Sequence, residues 1–272
     1  MFRKTLLTLS VLALLAPAAR SAHAQTVDEI LAKHYEAMGV DKLKKIQSMR
    51  VTGKMMVGPG MEAALIMERK RPGKSRMEFT VQGMTGVQAF DGTNGWSLMP
   101  FMGKKDPEPM SPEDATEMAD DADFDGALVD YKAKGHTVEY VGQESVEGAE
   151  TYKLKLTKKG GKVETFYLDT ETGLILKEES TRKMRGTEME GETILGDYKD
   201  VDGMLMPFSL EQGTKGSPQK QKMTFEKYEF DVAFEDSRFV IPATAAATDS
   251  SKAKAAPKTA KEAPKAAGKK GK

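Results

Sequence analysis

The stretch VTGKMMVGPGMEAALIMERKRPGKSRMEFTV, residues 51–81, alternates apolar and polar side chains with a period of two. This alternation is typical of β-strands that bury one of their two faces. Turn residues interrupt the pattern at 58–60 and again at 72–73, where proline and glycine meet. The stretch therefore predicts a meander of neighbouring antiparallel strands.

The same alternation resumes between residues 136 and 230, where glycine-containing turns again separate its segments. In all, the pattern predicts about ten or eleven strands and few helices within one domain, residues 25–242. So many strands without internal repeats favour a mainly-β (α+β) fold. We expect a single large, curved antiparallel sheet with helices laid over one face.

Three helices are expected beside the strands. Thr26 and Glu29 have the spacing of a capping box, and they predict a helix that ends at Gly39. A short helix is expected over about 41–46. The run Ser-Pro-Glu-Asp at 111–114 places a capping residue before a proline, and predicts a third helix over about 112–122.

Residues 1–24 have the features of a secretory signal peptide: a basic start, an apolar run over 6–15 and an Ala-His-Ala cleavage site. The run is shorter than the roughly 20 residues of a membrane helix. We therefore expect an exported chain. Because the sequence has no cysteine, no disulfide is expected.

The formal net charge is zero, but charge is distributed unevenly along the chain. Residues 25–242 hold 30 Lys and Arg against 39 Asp and Glu, a net charge of −9. An acidic body argues against nucleic acid as a partner. The tail, residues 243–272, has eight lysines and no large apolar side chain, so we expect it to be disordered. An alternative role for the tail is peripheral contact with an anionic membrane.

Enzymatic motifs are missing from the sequence. There is no thiol, no G-x-S-x-G elbow, no phosphate-binding loop and no dinucleotide fingerprint. His34 and His136 are the only histidines after residue 24, and they are far apart in the sequence. We therefore expect a protein that is not an enzyme and uses no cofactor.

One acidic motif raises the question of a calcium site. DADFDG, residues 121–126, places Asp121, Asp123 and Asp125 at alternate positions before a glycine, as calcium loops do. The twelfth position of such a loop requires glutamate, and here it is Lys132. The motif is a weak calcium candidate, and the alternative is a solvated acidic turn.

Methionine is unusually frequent, with 18 residues of which 11 lie between Met49 and Met118. The flexible, polarizable thioether adapts to apolar ligands of variable shape. Met99, Phe101 and Met102 also come together in a segment flanked by proline and glycine. Loops seldom expose such side chains unless a ligand or another segment covers them.

Four segments together resemble the signature of the LolA-like superfamily of outer-membrane lipoprotein carriers. They are ERKRPGKSRMEF (68–79), AFDGTNGWSLMPF (89–101), FYLDTETGLILK (166–177) and EDSRFVIP (235–242). In order, they span nearly all of the predicted domain.

The resemblance implies an incomplete (half) barrel of about eleven strands whose helices cover an apolar concave face. Members of the family bind lipoprotein acyl chains in this cavity within the periplasm. They carry the chains from an inner-membrane donor protein toward an outer-membrane acceptor protein. The arginine of the K-R-P motif, Arg71 here, is implied to hold the helical lid shut through hydrogen bonds to its backbone.

The predicted ligand-binding site combines this arginine with apolar side chains of the concave face. Its residues are Arg71, Met55, Leu65, Met67, Met77, Phe79, Trp96, Leu98, Phe101 and Met102.

We therefore predict a periplasmic carrier of lipoprotein acyl chains or other lipids. An alternative is an envelope sensor that binds lipoprotein or lipopolysaccharide and signals through a protein partner. A third reading is a structural envelope protein whose core is filled.

Overall fold

The computed structural model describes residues 25–184 and 187–243. The predicted signal peptide and all of the predicted tail after Ala243 lie outside the described residues. Within the described ranges, no helix is both long enough and apolar enough to cross a bilayer.

The described chain contains fifteen β-strands and three α-helices. The helices are α1 (Val27–Met38), α2 (Val40–Leu43) and α3 (Pro112–Asp121). The strands are β1 (Ser48–Gly58), β2 (Met61–Lys70), β3 (Lys74–Val81), β4 (Met84–Phe90), β5 (Gly95–Leu98), β6 (Glu108–Pro109), β7 (Thr137–Val146), β8 (Ala149–Thr157), β9 (Val163–Asp169), β10 (Ile175–Met184), β11 (Thr187–Gly196), β12 (Lys199–Val201), β13 (Met204–Met206), β14 (Ser209–Thr214) and β15 (Gln221–Phe230).

Thirteen strands form one antiparallel sheet in the order β6-β5-β4-β3-β2-β1-β15-β14-β11-β10-β9-β8-β7. The first and last strands are not paired with each other, so the barrel is incomplete. The remaining strands, β12 and β13, form a separate hairpin. The predicted mainly-β, open antiparallel sheet is confirmed, with slightly more strands than expected.

Short segments account for the additional strands. β6 has only two residues, too few to show any alternation. Within the stretch where the alternation resumes, residues 205–210 are divided at Pro207, which has no N–H to donate to a ladder. As a result β13 ends at Met206 and β14 begins at Ser209.

The helix boundaries follow the predicted capping residues. Thr26 and Glu29 form the capping box, with the Thr26 amide donating to Glu29 at 2.8 Å and the Glu29 amide donating to Thr26 Oγ1 at 3.3 Å. Ser111 caps α3 in the same way by accepting from the Asp114 amide at 3.1 Å. The second helix, expected over 41–46, is shorter and ends at Leu43.

The inner face of the sheet, defined here as the face on which α1 and α2 lie, carries the main core. Register places Val51 opposite Met67, and Met67 opposite Met77, on this face. We call its largest buried cluster the inner core, and burial of each large apolar side chain there contributes about 1.5–3 kcal/mol. The inner core consists of Ile46, Met49, Val51, Met55, Ala63, Leu65, Phe124, Met204, Met206, Met223 and Phe225.

Helix α1 is fastened to the turn between β9 and β10 by side chains of its central turn. The buried His34 ring contacts the Gly173 carbonyl through Nδ1 at 2.9 Å, and Lys33 Nζ donates to the Thr170 carbonyl at 2.8 Å. Gly173 has φ +77°, and a Cβ there would lie 3.0 Å from Lys33 Cγ. This close approach explains the glycine of the Asp-x-x-Thr-Gly turn.

Burial lowers the pKa of His34, and its hydrogen bond to Gly173 opposes that shift only in part. The folded state therefore binds the His34 proton less readily than the unfolded chain, whose histidine pKa is about 6.5. Because the unfolded state then holds more protons, we expect the free energy of unfolding to fall as pH drops from 7 to 5. Urea unfolding at several pH values measures this slope.

His34→Asn can keep a donor to Gly173 but cannot titrate, so its slope should be shallower between pH 7 and 5. His136→Asn is the control, because its histidine is less buried and should account for less of the slope. An unchanged slope in His34→Asn would contradict the assignment.

Candidate functional site

A partly exposed apolar surface extends along the inner face of β2, β3 and β4, and we call it the trough. Met67 and Met77 are cross-strand partners in it, as are Val81 and Met84. Where these strands turn, Met61 and Met84 are each 41% exposed, although both are large and apolar. The trough consists of Met61, Met67, Met77, Phe79, Val81, Met84 and Phe101.

Phe101 belongs to the 3-10 turn Pro100–Met102, which folds back over β4. Its ring centre lies 5.4 Å from that of Phe79, with the planes tilted by 51°. Both rings fit because Gly86 has no side chain: a Cβ there would be 2.7 Å from Phe79 and 2.8 Å from Phe101. The 3-10 turn therefore forms one wall of the trough.

The floor of the trough is the inner core. Met55 and Leu65, both predicted to contact ligand, are buried there, with Leu65 only 1% exposed. Side chains of the β13 strand and Phe124 fill the adjoining space. Met55 and Leu65 therefore lie beneath the trough, while Met67, Met77 and Phe79 reach its surface.

Arg71 joins three parts of the chain, in an arrangement that we call the Arg71 clamp. Its Nε donates to the Ile46 carbonyl at 2.8 Å, and Nη2 donates to the Leu43 carbonyl at the end of α2 at 3.3 Å. Both terminal nitrogens donate to the Asp125 carboxylate, Nη1 at 2.7 Å. The guanidinium also lies 4.4 Å from the ring centre of Phe124. The fork of donors thus binds α2 and the segment after α3 at once.

The clamp also sets the ionisation of its acid. Hydrogen bonding from Arg71 is the main reason that the pKa of Asp125 is lowered, with burial opposing it. Hydrogen bonding to Asp125 likewise raises the pKa of Arg71. Both groups therefore remain charged at neutral pH, and the pair stays intact.

A second contact fixes α3 to the hairpin of β8 and β9, and we call it the lysine latch. Lys162 Nζ lies 2.7 Å from Glu117 and 3.1 Å from Asp120, both on α3. Lys158 bridges Asp120 at 3.1 Å and Glu164 at 2.8 Å. Burial acts to raise the pKa of Asp120, but the two lysines outweigh it and the pKa is lowered.

A cavity of about 440 Å³ lies between α3 and the ends of β4 and β5. Its sheet side includes Phe90 and Gly95, and its helix side includes the small residues Ala115 and Ala119. Small side chains leave space between the helix and the sheet. The volume is within the range of small-molecule sites, about 300–1,000 Å³.

Trp96 and Leu98 do not belong to this arrangement. Register pairs Trp96 with Ala89, and Ala89 with Arg76, all on the outer face of the sheet. The Trp96 indole is buried under the C-terminal segment and donates to the Phe239 carbonyl at 2.8 Å. The prediction that Trp96 and Leu98 lie on the concave face is therefore wrong, because the strand register places both on the outer face. Met102, at 66% exposure, lies at the margin of the trough.

The acidic motif after α3 forms contacts of its own. Asp125 belongs to the Arg71 clamp, and Asp123 pairs with Lys134 at 2.6 Å. Within the described residues, no group of three or more metal-ligating side chains comes together. Two of the three proposed calcium ligands are therefore occupied by cationic side chains.

Sequence reasoning missed several residues of the site. Met61, Val81 and Met84 carry the same alternation as the residues that were chosen, so the pattern could have found them. Phe90 and Ala119 gave no signal, because only the packing of α3 against distant strands brings them together. The lysine latch likewise joins α3 to lysines that lie 38 to 45 positions away in the sequence.

Comparison of the sequence with protein-family models and with curated proteins gives no match. Solved structures do match. A LolA superfamily protein from Nitrosomonas europaea aligns with a TM-score of 0.53 and 14% identity, over 80% of this chain and 98% of that one. The chain has a LolA-like fold.

A second similar structure is that of a DUF1329 family protein from Desulfovibrio piger. It aligns with a TM-score of 0.55 and 15% identity, over 78% of this chain and 97% of that one. Both alignments cover nearly the entire solved chain.

Arg71→Lys should weaken the clamp, because lysine keeps the charge but has three donors on one nitrogen, whereas Arg71 makes four hydrogen bonds from three nitrogens. We expect the free energy of unfolding to fall by about 1–3 kcal/mol. Hydrogen exchange should accelerate over residues 118–126. Arg69→Lys, at the end of β2 and two residues before Arg71, is the matched control and should change little. Strictly additive effects of Arg71→Lys and Asp125→Asn would contradict the clamp.

Raising the ionic strength should weaken the lysine latch, because its charges are only partly shielded from solvent. We expect faster hydrogen exchange in α3 at high salt, and a smaller salt effect in Lys162→Gln. Lys104→Gln, which removes an exposed pair near α3, is the control. The latch has no role if Lys162→Gln exchanges like the unmodified protein at low salt.

Proposed function

We propose that the protein carries acyl chains of lipoproteins or other lipids, holding them in the trough and in the cavity beneath α3. The trough is the main observation that supports this proposal, because its methionine and phenylalanine side chains remain partly exposed on the inner face of a LolA-like sheet. Surfaces of this kind on a folded domain mark sites where an apolar partner binds.

An acyl chain suits this surface because its binding needs no directional contact. Removing methylene groups from water is favourable by about 0.8 kcal/mol each. Methionine side chains adjust their rotamers to chains of different length and curvature. The trough therefore favours a class of apolar ligands over one specific molecule.

The two contacts that hold α3 give the carrier a means of retention and release. A chain beneath α3 is covered while the Arg71 clamp and the lysine latch are closed. Each hydrogen bond contributes about 1 kcal/mol net, so a donor or acceptor protein could open the cover at modest cost. Transfer between membranes of the envelope requires this reversibility.

The proposed place of action is the periplasm, which agrees with the signal peptide predicted from residues 1–24. Donor and acceptor proteins at the inner and outer membranes complete the proposed route. A carrier of this kind works by binding and release, without chemical conversion of its cargo.

Native mass spectrometry of the protein purified from the periplasm provides the first test. We expect added mass that corresponds to lipid, released on denaturation and identified by extraction. A protein that is free of lipid, and that also fails to bind dansyl-labelled undecanoic acid, would contradict the proposal.

Methionine-to-glutamine substitution tests whether the trough is the binding surface, because the two side chains are similar in length but differ in polarity. Met77→Gln combined with Met84→Gln should weaken binding of dansyl-labelled undecanoic acid by about ten-fold. Met189→Gln is the matched control: Met189 is also exposed, on β11, which four other strands separate from β3 in the sheet. Equal losses in the two proteins would place binding elsewhere.

A further inference from the structure

The outer face of the sheet carries a separate pocket of about 510 Å³, bounded by the C-terminal segment 233–242. Arg50 of β1 and Arg76 of β3 line its sheet side, and Arg238 lines the opposite wall. The trough lies on the inner face, so this pocket takes no part in the proposed lipid site. We call it the arginine pocket.

Two carboxylates hold the three guanidinium groups in place. Glu68 lies between Arg50 and Arg76 in the register of β1, β2 and β3, and is 1% exposed. It accepts from Arg50 Nε at 3.0 Å and from Arg238 Nε. Glu78 accepts from Arg76 Nε at 2.7 Å and from Arg238 Nη2 at 3.0 Å. The arginines are therefore fixed before any ligand arrives.

The outer ends of two of these guanidinium groups remain available. Among the described residues, Arg50 donates only through Nε, which leaves both of its terminal nitrogens for solvent or ligand. Arg76 uses Nε and Nη1, the latter to the Arg238 carbonyl at 3.0 Å, and keeps Nη2. Aromatic rings stack beside both groups, Phe234 at 5.1 Å from Arg50 and Trp96 at 5.5 Å from Arg76.

The charge and the walls of the pocket define what it can accept. Three arginines against Glu68 and Glu78 leave one positive charge in the network. Glu235, which is exposed, also lines the pocket and would oppose an anion. The remaining wall includes apolar side chains, namely Phe234, Val240 and Pro242.

We propose that the arginine pocket binds a tetrahedral oxyanion of the phosphate type, joined to an apolar group. Two guanidinium groups that approach from different strands can share such an ion, which has acceptor atoms in several directions. A carboxylate can also bridge two guanidinium groups, as Glu68 does, but it offers two acceptor oxygens in one plane, whereas a phosphate offers three or more in different directions. The apolar wall favours a phosphate ester over inorganic phosphate.

A titration of the wild-type protein by NMR tests the proposal without relying on any variant. Dihexanoyl phosphatidic acid and inorganic phosphate are added separately, and the Nε–Hε signals of Arg50 and Arg76 are followed. Saturable shifts of both signals with either probe support the oxyanion site. Tighter binding of the lipid supports the role of the apolar wall and identifies a headgroup as the source, whereas equal binding overturns the apolar part of the proposal and identifies free phosphate. Absence of shifts with both probes, or shifts confined to other arginines, overturns the proposal.

Calorimetry on variants provides an independent measure. Arg50→Gln should weaken binding of dihexanoyl phosphatidic acid by about ten-fold. Glu235→Gln should strengthen it, because it removes the opposing carboxylate. Lys54→Gln, on the same strand and face but outside the pocket, is the charge-matched control and should have little effect. Equal losses in Arg50→Gln and Lys54→Gln would reduce the binding to general charge attraction and overturn the site. Failure of these tests would not contradict the proposed lipid site in the trough, because no trough residue is altered.

Discussion

A wide sheet with too few helices to cover it is the constraint on which this structure depends. Thirteen strands form one inner face, and the described chain offers helices of only 12, 4 and 10 residues to lie on it. The β12–β13 hairpin and Phe124 cover the central strands and bury the inner core, whereas helix α1 packs over β8 and β9 in a second buried cluster. The inner face of β2–β4 is left with partial cover. The trough is thus the part of a large apolar face that the described residues leave partly exposed.

Helix α3, which partly covers the inner face, is held by polar contacts at its ends and not by continuous apolar packing. Helix α3 contributes small side chains toward the sheet and no fully buried residue. Its position depends on the lysine latch on one side and on the Arg71 clamp just beyond its C-terminus. Ion pairs and hydrogen bonds of this kind are worth a few kcal/mol and respond to partners.

The two faces of the sheet differ in what they bury. The inner face buries thioethers and aromatic rings, whereas the outer face buries a charged network centred on Glu68, covered by the segment that contains Arg238 and Phe239. A buried carboxylate is tolerated there because it accepts from two guanidinium groups. Trp96 belongs to this outer layer, where its indole N–H is satisfied by a backbone carbonyl. The fold therefore presents two chemically unlike surfaces, one apolar and one rich in arginine.

The sequence by itself determined the local structure of this protein. Period-two alternation gave the strands, the capping residues gave α1 and α3, and the K-R-P motif singled out Arg71, because each signal lies within a few neighbouring residues. What it could not decide is which face of each strand turns inward. Trp96 and Met77 both alternate correctly, yet only the register across β3, β4 and β5 assigns them to opposite faces. The lysine latch, the cavity beneath α3 and the arginine pocket were also decided by tertiary structure alone, since each joins residues distant in the chain whose contacts no local pattern records.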